Sequence, residues 1–438
     1  MNEPSTLGQM LPFMLETMKG VGDMPDLPLG PEWTSMPQKD QINLLSMLAQ
    51  ASYFKTLAEG FDGKRKVVIH PFNFPPEILH ALGVAPVFIE MLSTMASTAP
   101  SEFADNIFKY LDSGYEAGLP GTLCAGQLGG AGALLYGDWP KPDLVLCAAP
   151  GFCDVNSKIL EYTARTLDVP LLYVDMSPYQ DDRGLAYYQH SFREVISRLE
   201  AFTGTKLDPD RLKEAADNTN RVTELYNEIA GLQAAVPSPV PNSYITLNTS
   251  MKFMLGGRSE AIPVYEAVLN TAKEKVAKGE GALDNEKIRC LMLYTSIYYD
   301  GEFHGWLEDK GVSLIMDILS YFPLKPVDTS STEAIIDGFA EMAINYPMAR
   351  QMKGPLSEPG GWDEDMVFLA KKYKADCCIF SGNPACKRAN GSLRLLSDRL
   401  KEDVGIPTLN LEADSWDRRV TGMAAIKETI LDFLEAIE

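Results

Sequence analysis

A chain of 438 residues exceeds one ordinary core, and 45% apolar against 23% charged residues is the balance of a globular protein of about two domains. A formal charge of −21 sets its surface against nucleic acid and anionic membranes, so neither is expected as a partner. An anionic ligand would need a local basic pocket.

The first residues carry Glu3 and no basic stretch ahead of an apolar one, so no secretory signal is expected and the expected compartment is the cytoplasm. Seven cysteines in a reducing compartment read as buried small hydrophobes or as ligands, not as disulfides. Residues 1–60 form a helical lead-in: Pro25, Pro28, Pro31 and Pro37 punctuate it before a helical pattern over 42–57. Residues 61–190 read as a first α/β domain. Its opening strand, 66–70, ends at His70; Pro75 and Pro76 start a helix that stops before Gly83, and 85–88 is extended again.

The glycine-rich run 121–130 matches neither the dinucleotide fingerprint nor the P-loop, and no strand precedes it. It reads as the start of a tightly packed helix. Residues 143–147 form a strand, 148–152 a turn, and Cys153-Asp154 opens a helix that hands over to the strand 171–175. Residues 191–285 form a helical connecting segment in which Phe192, Val195, Ile196 and Leu199 mark one buried face. Within it the proline-rich stretch 237–241 reads as the linker between domains. Two uncharged runs, 117–137 and 229–251, are broken by glycine or proline and are not membrane spans.

The second α/β domain, 286–438, opens with the strand 289–294 and continues through the apolar run 314–319. Cys377 to Phe380 then form a strand that ends in the turn Ser381-Gly382-Asn383-Pro384, with Cys386 just beyond. Leu393, Leu396 and Leu400 mark a helix, 408–411 a strand, and 424–437 a closing helix. Strand–helix–strand units of this size imply parallel strands and right-handed crossovers. The expected fold is α/β, with two flavodoxin- or Rossmann-like domains and ligands at the carboxyl ends of their strands. Cys153 and Cys386 each follow a strand, one per domain, which suggests two similar halves facing one another.

Cys124, Cys153 and Cys386 lie in loops or at helix starts near glycines, the setting that thiolate ligation of an iron–sulfur cluster needs. Their spacing matches no ferredoxin or zinc pattern, and from spacing alone inert buried thiols are the better reading. Cys147, Cys290, Cys377 and Cys378 stand inside strand-like runs and read as core residues. His70 and His304, at or just after strand ends, are candidate acids or bases, and Tyr298 follows a strand where it can line a pocket.

Several segments, taken in order, resemble the 2-hydroxyacyl-CoA dehydratase and benzoyl-CoA reductase family of iron–sulfur proteins. They are Phe74-Pro75-Pro76-Glu77-Ile78-Leu79 with Gly83 and Pro86, Leu123-Cys124, Pro142-Asp143-Leu144-Val145 with Cys153-Asp154, and Phe192-Arg193-Glu194-Val195-Ile196 to Gly204. Ala385-Cys386-Lys387 and Gly405-Ile406-Pro407 with Asp414 and Asp417 close the pattern. The resemblance runs from Lys66 to Arg419 and is nearer the larger, alpha-type subunit. It implies a [4Fe–4S] cluster held between the domains by Cys124, Cys153 and Cys386. It further implies an acyl-CoA substrate reacting as a ketyl-type radical anion, a smaller homologous partner subunit, and an ATP-hydrolysing activator that donates the electron. Relatives often carry an arginine after the first cysteine, where this chain has Ala125-Gly126-Gln127. A related branch holds a double-cubane [8Fe–9S] cluster on six cysteines and reduces small molecules; a non-catalytic relative is the third alternative. If one cluster binds all three cysteines, their sulfurs should lie on the order of 6–7 Å apart, with His70, Tyr298 and His304 facing the same cleft.

Overall fold

The computed structural model describes residues 36–98, 106–149, 153–176, 181–294, 296–352 and 361–437. The prolines at 25, 28 and 31 and most of the turn after the 144–149 strand, residues 150–152, lie outside them.

The described residues begin with α1 (Gln38–Phe61), then run β1 (Val67–His70), α2 (Pro76–Ala81), β2 (Ala85–Phe88), α3 (Ile89–Thr98), α4 (Asn106–Glu116) and α5 (Ala125–Tyr136). Next come β3 (Leu144–Ala149), α6 (Asp154–Leu167) and β4 (Leu171–Asp175). The helices α7 (Asp182–Thr203), α8 (Pro209–Leu232), α9 (Tyr244–Leu255) and α10 (Ile262–Lys278) follow, with no strand among the described residues of this stretch. The second half is β5 (Ile288–Tyr294), α11 (Phe303–Asp309), β6 (Val312–Asp317), α12 (Thr332–Ile344), α13 (Pro347–Met352) and α14 (Trp362–Tyr373). It closes with β7 (Cys377–Gly382), α15 (Lys387–Asp403), β8 (Thr408–Glu412) and α16 (Met423–Ile437).

Both sheets are parallel, in the orders β2-β1-β3-β4 and β6-β5-β7-β8. The two orders are one topology used twice. In each, the chain moves outward from its first strand and then crosses back to the other side. The reversal leaves a crevice at the carboxyl ends of the two central strands. His70 ends β1 at that crevice in the first sheet; Tyr294 and the residues after β7 flank it in the second.

The strand cysteines belong to the sheet cores. Alternate residues of a strand face opposite sides, so Leu291, Leu293, Cys378 and Phe380 pack into one core while Cys290, Met292, Cys377 and Ile379 pack into another. The helices α7–α10 share one core with the first sheet, from Val68 and Leu146 to Phe192, Tyr226 and Val268. Glu77, in the Pro-Pro-Glu start of α2, is a tie within it: Thr219 of α8 donates to its carboxylate at 3.0 Å.

The proline-rich stretch is packed down. Ser238 and Val240 are buried, the Ser238 N–H donates to Glu286 at 2.7 Å, and Asn242 just beyond pairs with the backbone of Val312 and Leu314. Among the described residues no helix is long and apolar enough to cross a membrane.

Candidate functional site

Cys124, Cys153 and Cys386 occupy the same local position. Each is the residue just before a helix, of α5, α6 and α15 respectively, and none closes a side-chain capping bond. Ser, Thr, Asp or Asn is the usual choice there, because a side-chain oxygen satisfies the free N–H groups of the first turn. A thiol leaves those donors, and the positive end of the helix dipole, available to an anionic sulfur or to what it ligates. The N–H groups of Gln127 and Asn156 face the Cys124 and Cys153 sulfurs and favour their anionic form.

The fold gathers the three thiols. Burial pushes Cys124 well up, and the charges of Asp414, Cys386 and Cys153 raise it further. Cys153 is pushed up to about 11, by burial first, with Cys386 adding to it. A side-chain amide points at every sulfur: Asn383 at Cys124 (3.7 Å), Gln127 at Cys153 (3.6 Å) and Gln351 at Cys386 (3.9 Å). Asn383 follows β7 of the second sheet and Cys124 belongs to the first half, so this contact crosses between the domains.

Among the described residues no three His, Cys, Asp or Glu side chains stand close enough to hold a single metal ion. Single-ion ligation needs every sulfur about 2.3 Å from one point, whereas a polynuclear iron–sulfur core spreads its ligands more widely. Three thiols near enough for the anionic forms of Cys386 and Cys153 to act on Cys124, three helix N-termini and amide donors to sulfur form a donor set suited to such a core.

A cavity of about 470 Å³ opens beside Cys124, with Gln127 and Tyr294 also in its wall. Tyr298 and His304 line it, as does Asp300 between them. The Tyr298 ring lies tilted against Trp416 at 5.3 Å between ring centroids; His304 Nε2 is 3.0 Å from Ser296 Oγ, and burial lowers its pKa to about 4. His70 is not in the wall. It is 1% exposed at the end of β1, with its ring against Phe74 and Phe88. An adjoining pocket of about 250 Å³ shares Gln50, Thr246 and Ser250 with the cavity and is lined by neutral polar groups including Asn43, Ser46 and Ser243.

Two further residues of the wall bear on its chemistry, and no local sequence pattern marks either one. Tyr294 ends β5 with φ +91, a conformation bulky side chains rarely adopt, and its hydroxyl bonds Cys386. Glu90, at the start of α3, accepts from Asn156 at 3.0 Å with Gln127 also facing it, and burial pushes its carboxyl up to about 7. A carboxylate two residues past an extended segment is too common to stand out.

These features define a two-domain α/β protein whose thiols gather beside an apolar cavity between twin parallel sheets. The sequence model of the family described as "2-hydroxyglutaryl-CoA dehydratase, D-component" matches residues 71–437, and the chain belongs to that family. It is 23% identical to the (R)-2-hydroxyglutaryl-CoA dehydratase subunit alpha of Acidaminococcus fermentans, across 68% of this chain and 61% of that protein. It is 21% identical to the (R)-phenyllactyl-CoA dehydratase alpha subunit of Clostridium sporogenes, across 79% of this chain and 83% of the relative. A benzoyl-CoA reductase subunit of Thauera aromatica is also 21% identical, across 68% of this chain and 71% of its own length.

Proposed function

We propose that this chain is the cluster-bearing subunit of an enzyme acting on acyl-CoA thioesters, by dehydrating a 2-hydroxyacyl-CoA or reducing an aromatic one. Cys124, Cys153 and Cys386 hold its [4Fe–4S] cluster. One observation carries the reading: three thiols from three separate segments each stand just before a helix, the anionic forms of Cys386 and Cys153 both act on Cys124, and Cys124 opens onto the cavity. A bound cluster supplies one-electron chemistry at low potential. The electron comes from an ATP-hydrolysing activator, and a smaller homologous subunit completes the complex; relatives named as alpha subunits support such a partner.

In this reading the thioester lies at the Cys124 end of the cavity, and the neutral adjoining pocket takes the amide-bearing arm. The apolar walls exclude water from the reacting carbon. Glu90, with its carboxyl near 7, holds or accepts a proton at neutral pH, while His304 stays neutral and hydrogen-bonded to Ser296. His70, outside the wall, supports Phe88 from behind.

The other four cysteines favour one cluster over a double-cubane. Cys147, Cys290, Cys377 and Cys378 are fully buried strand residues, which leaves three thiols where six are needed. Anaerobically purified protein should carry about four irons per chain. Cys386→Ala should lose that iron and its visible absorbance yet stay folded, while Cys290→Ala keeps both. Full iron content in Cys386→Ala would overturn the assignment.

A further inference from the structure

The cavity also bears on the acyl group, an inference that rests on the acyl-CoA function proposed above. Rings are prominent in its wall: Phe54, Phe72, Phe88, Phe253 and Trp416 line it along with Tyr298. Met91, Met95, Met254 and Met348 line it too. Thioethers adapt their shape and pack well against ring edges, so rings and methionines together favour a flat, polarisable guest.

Charge is as telling as shape. Among the described residues the lining contains no lysine or arginine, and its carboxylates are Glu90 and Asp300. Lys427 is 3.2 Å from Asp300 and already paired with it. Lys252 shares α9 with Phe253 and Met254, but its ammonium lies in the core, 5.7 Å from the Tyr226 and Phe322 ring centroids. An acyl chain ending in a carboxylate would come to lie beside Glu90 and Asp300, with no unpaired cation among the described lining residues to receive it. Its desolvation would go uncompensated.

We infer that the acyl group taken here is bulky, uncharged and apolar, with a phenyl-bearing chain the best match, and that carboxylate-ended acyl groups are refused. A volume of about 470 Å³, part of which a cluster on Cys124 would take, is in the range of a small-molecule site. Burying a phenyl ring against such a wall is worth roughly 10- to 100-fold in affinity.

The test is equilibrium binding to the anaerobically purified protein, with any subunit that copurifies, of three unreactive esters: 3-phenylpropionyl-CoA, propionyl-CoA and glutaryl-CoA. Free CoA is the baseline. The phenyl ester should bind at least about tenfold tighter than propionyl-CoA, and glutaryl-CoA no tighter than propionyl-CoA. A flat order, or glutaryl-CoA binding as tightly as the phenyl ester, overturns the specificity and leaves the acyl-CoA reading standing. If no ester binds better than free CoA, both readings fall. Met95→Lys adds a cation to the wall and should raise glutaryl-CoA affinity about tenfold. No gain in a variant that still binds the phenyl ester counts against the proposal.

Discussion

His70 shows what burial does to one side chain. Its Nδ1 is 3.0 Å from the Pro71 carbonyl oxygen, its Nε2 has no partner, and burial lowers its pKa to about 4. The unfolded chain keeps the ordinary value of about 6.5. Between these values the unfolded state binds a proton that the folded state refuses, so stability is full above about pH 6.5 and falls as pH drops toward 4. From pH 7.5 to pH 5 this residue should cost about 2 kcal/mol. Urea unfolding at the two pH values should show that loss in the native chain and less of it, by about that amount, in His70→Phe. Equal losses in both would mean that His70 titrates normally. The residue type and the strand end were legible in the sequence; the enclosure by Phe74 and Phe88 rings was not.

At the scale of elements, α5 decides where Cys124 stands. Its glycines let other backbones approach where a side chain would collide. A Cβ at Gly132 would fall 1.8 Å from the Tyr110 carbonyl oxygen of α4, and one at Gly130 2.2 Å from that of Ile89 in α3. Gly132→Ala must push the helices apart and should destabilise the chain on the order of 3 kcal/mol. Gly231→Ala, near the end of α8 with nothing within 4 Å of the new Cβ, should instead be neutral or stabilise by up to about 1 kcal/mol. Thermal midpoints of the two variants test the contrast, and a shift of the same sign in both would refute it. Reading 121–130 as a tightly packed helix start rather than a phosphate cradle needed only the missing strand and the unmatched motif. Which backbones it packs against depends on chain folded far from it.

Across the whole molecule, the loop after β8 fastens the two halves. Trp416 donates from Nε1 to Thr94 at 3.0 Å, its carbonyl accepts from Ser97, and its ring fills the space where Gly126 has no side chain. Arg419, farther along, pairs with Asp112 of α4 at 2.9 Å. Trp416 also walls the cavity, so the fastening and the site share a residue. Trp416→Ala should cost about 3–5 kcal/mol and raise amide hydrogen exchange at 94–98 and around Gly126. Unchanged exchange there would show that the halves are held by other contacts.

Local pattern was enough for the α/β class, the strand–helix–strand units and the placement of three cysteines at helix starts, because periodicity, turn residues and chain order are local properties. The same holds for the four strand cysteines, whose apolar neighbours already marked them as core. The identity of the site was not local. Tyr294, Glu90, Asn383 and Trp416 come from four distant segments, and the crossing of the chain from β2 to β3, and from β6 to β7, helps bring such segments together. The proline-rich stretch 237–241 makes the same point: composition marks a break between helices, but its burial against Glu286 and β6 depends on a sheet formed later in the chain. Sequence carries the propensities of each segment; which segments meet, and hence which side chains line the cavity, is set by tertiary packing alone.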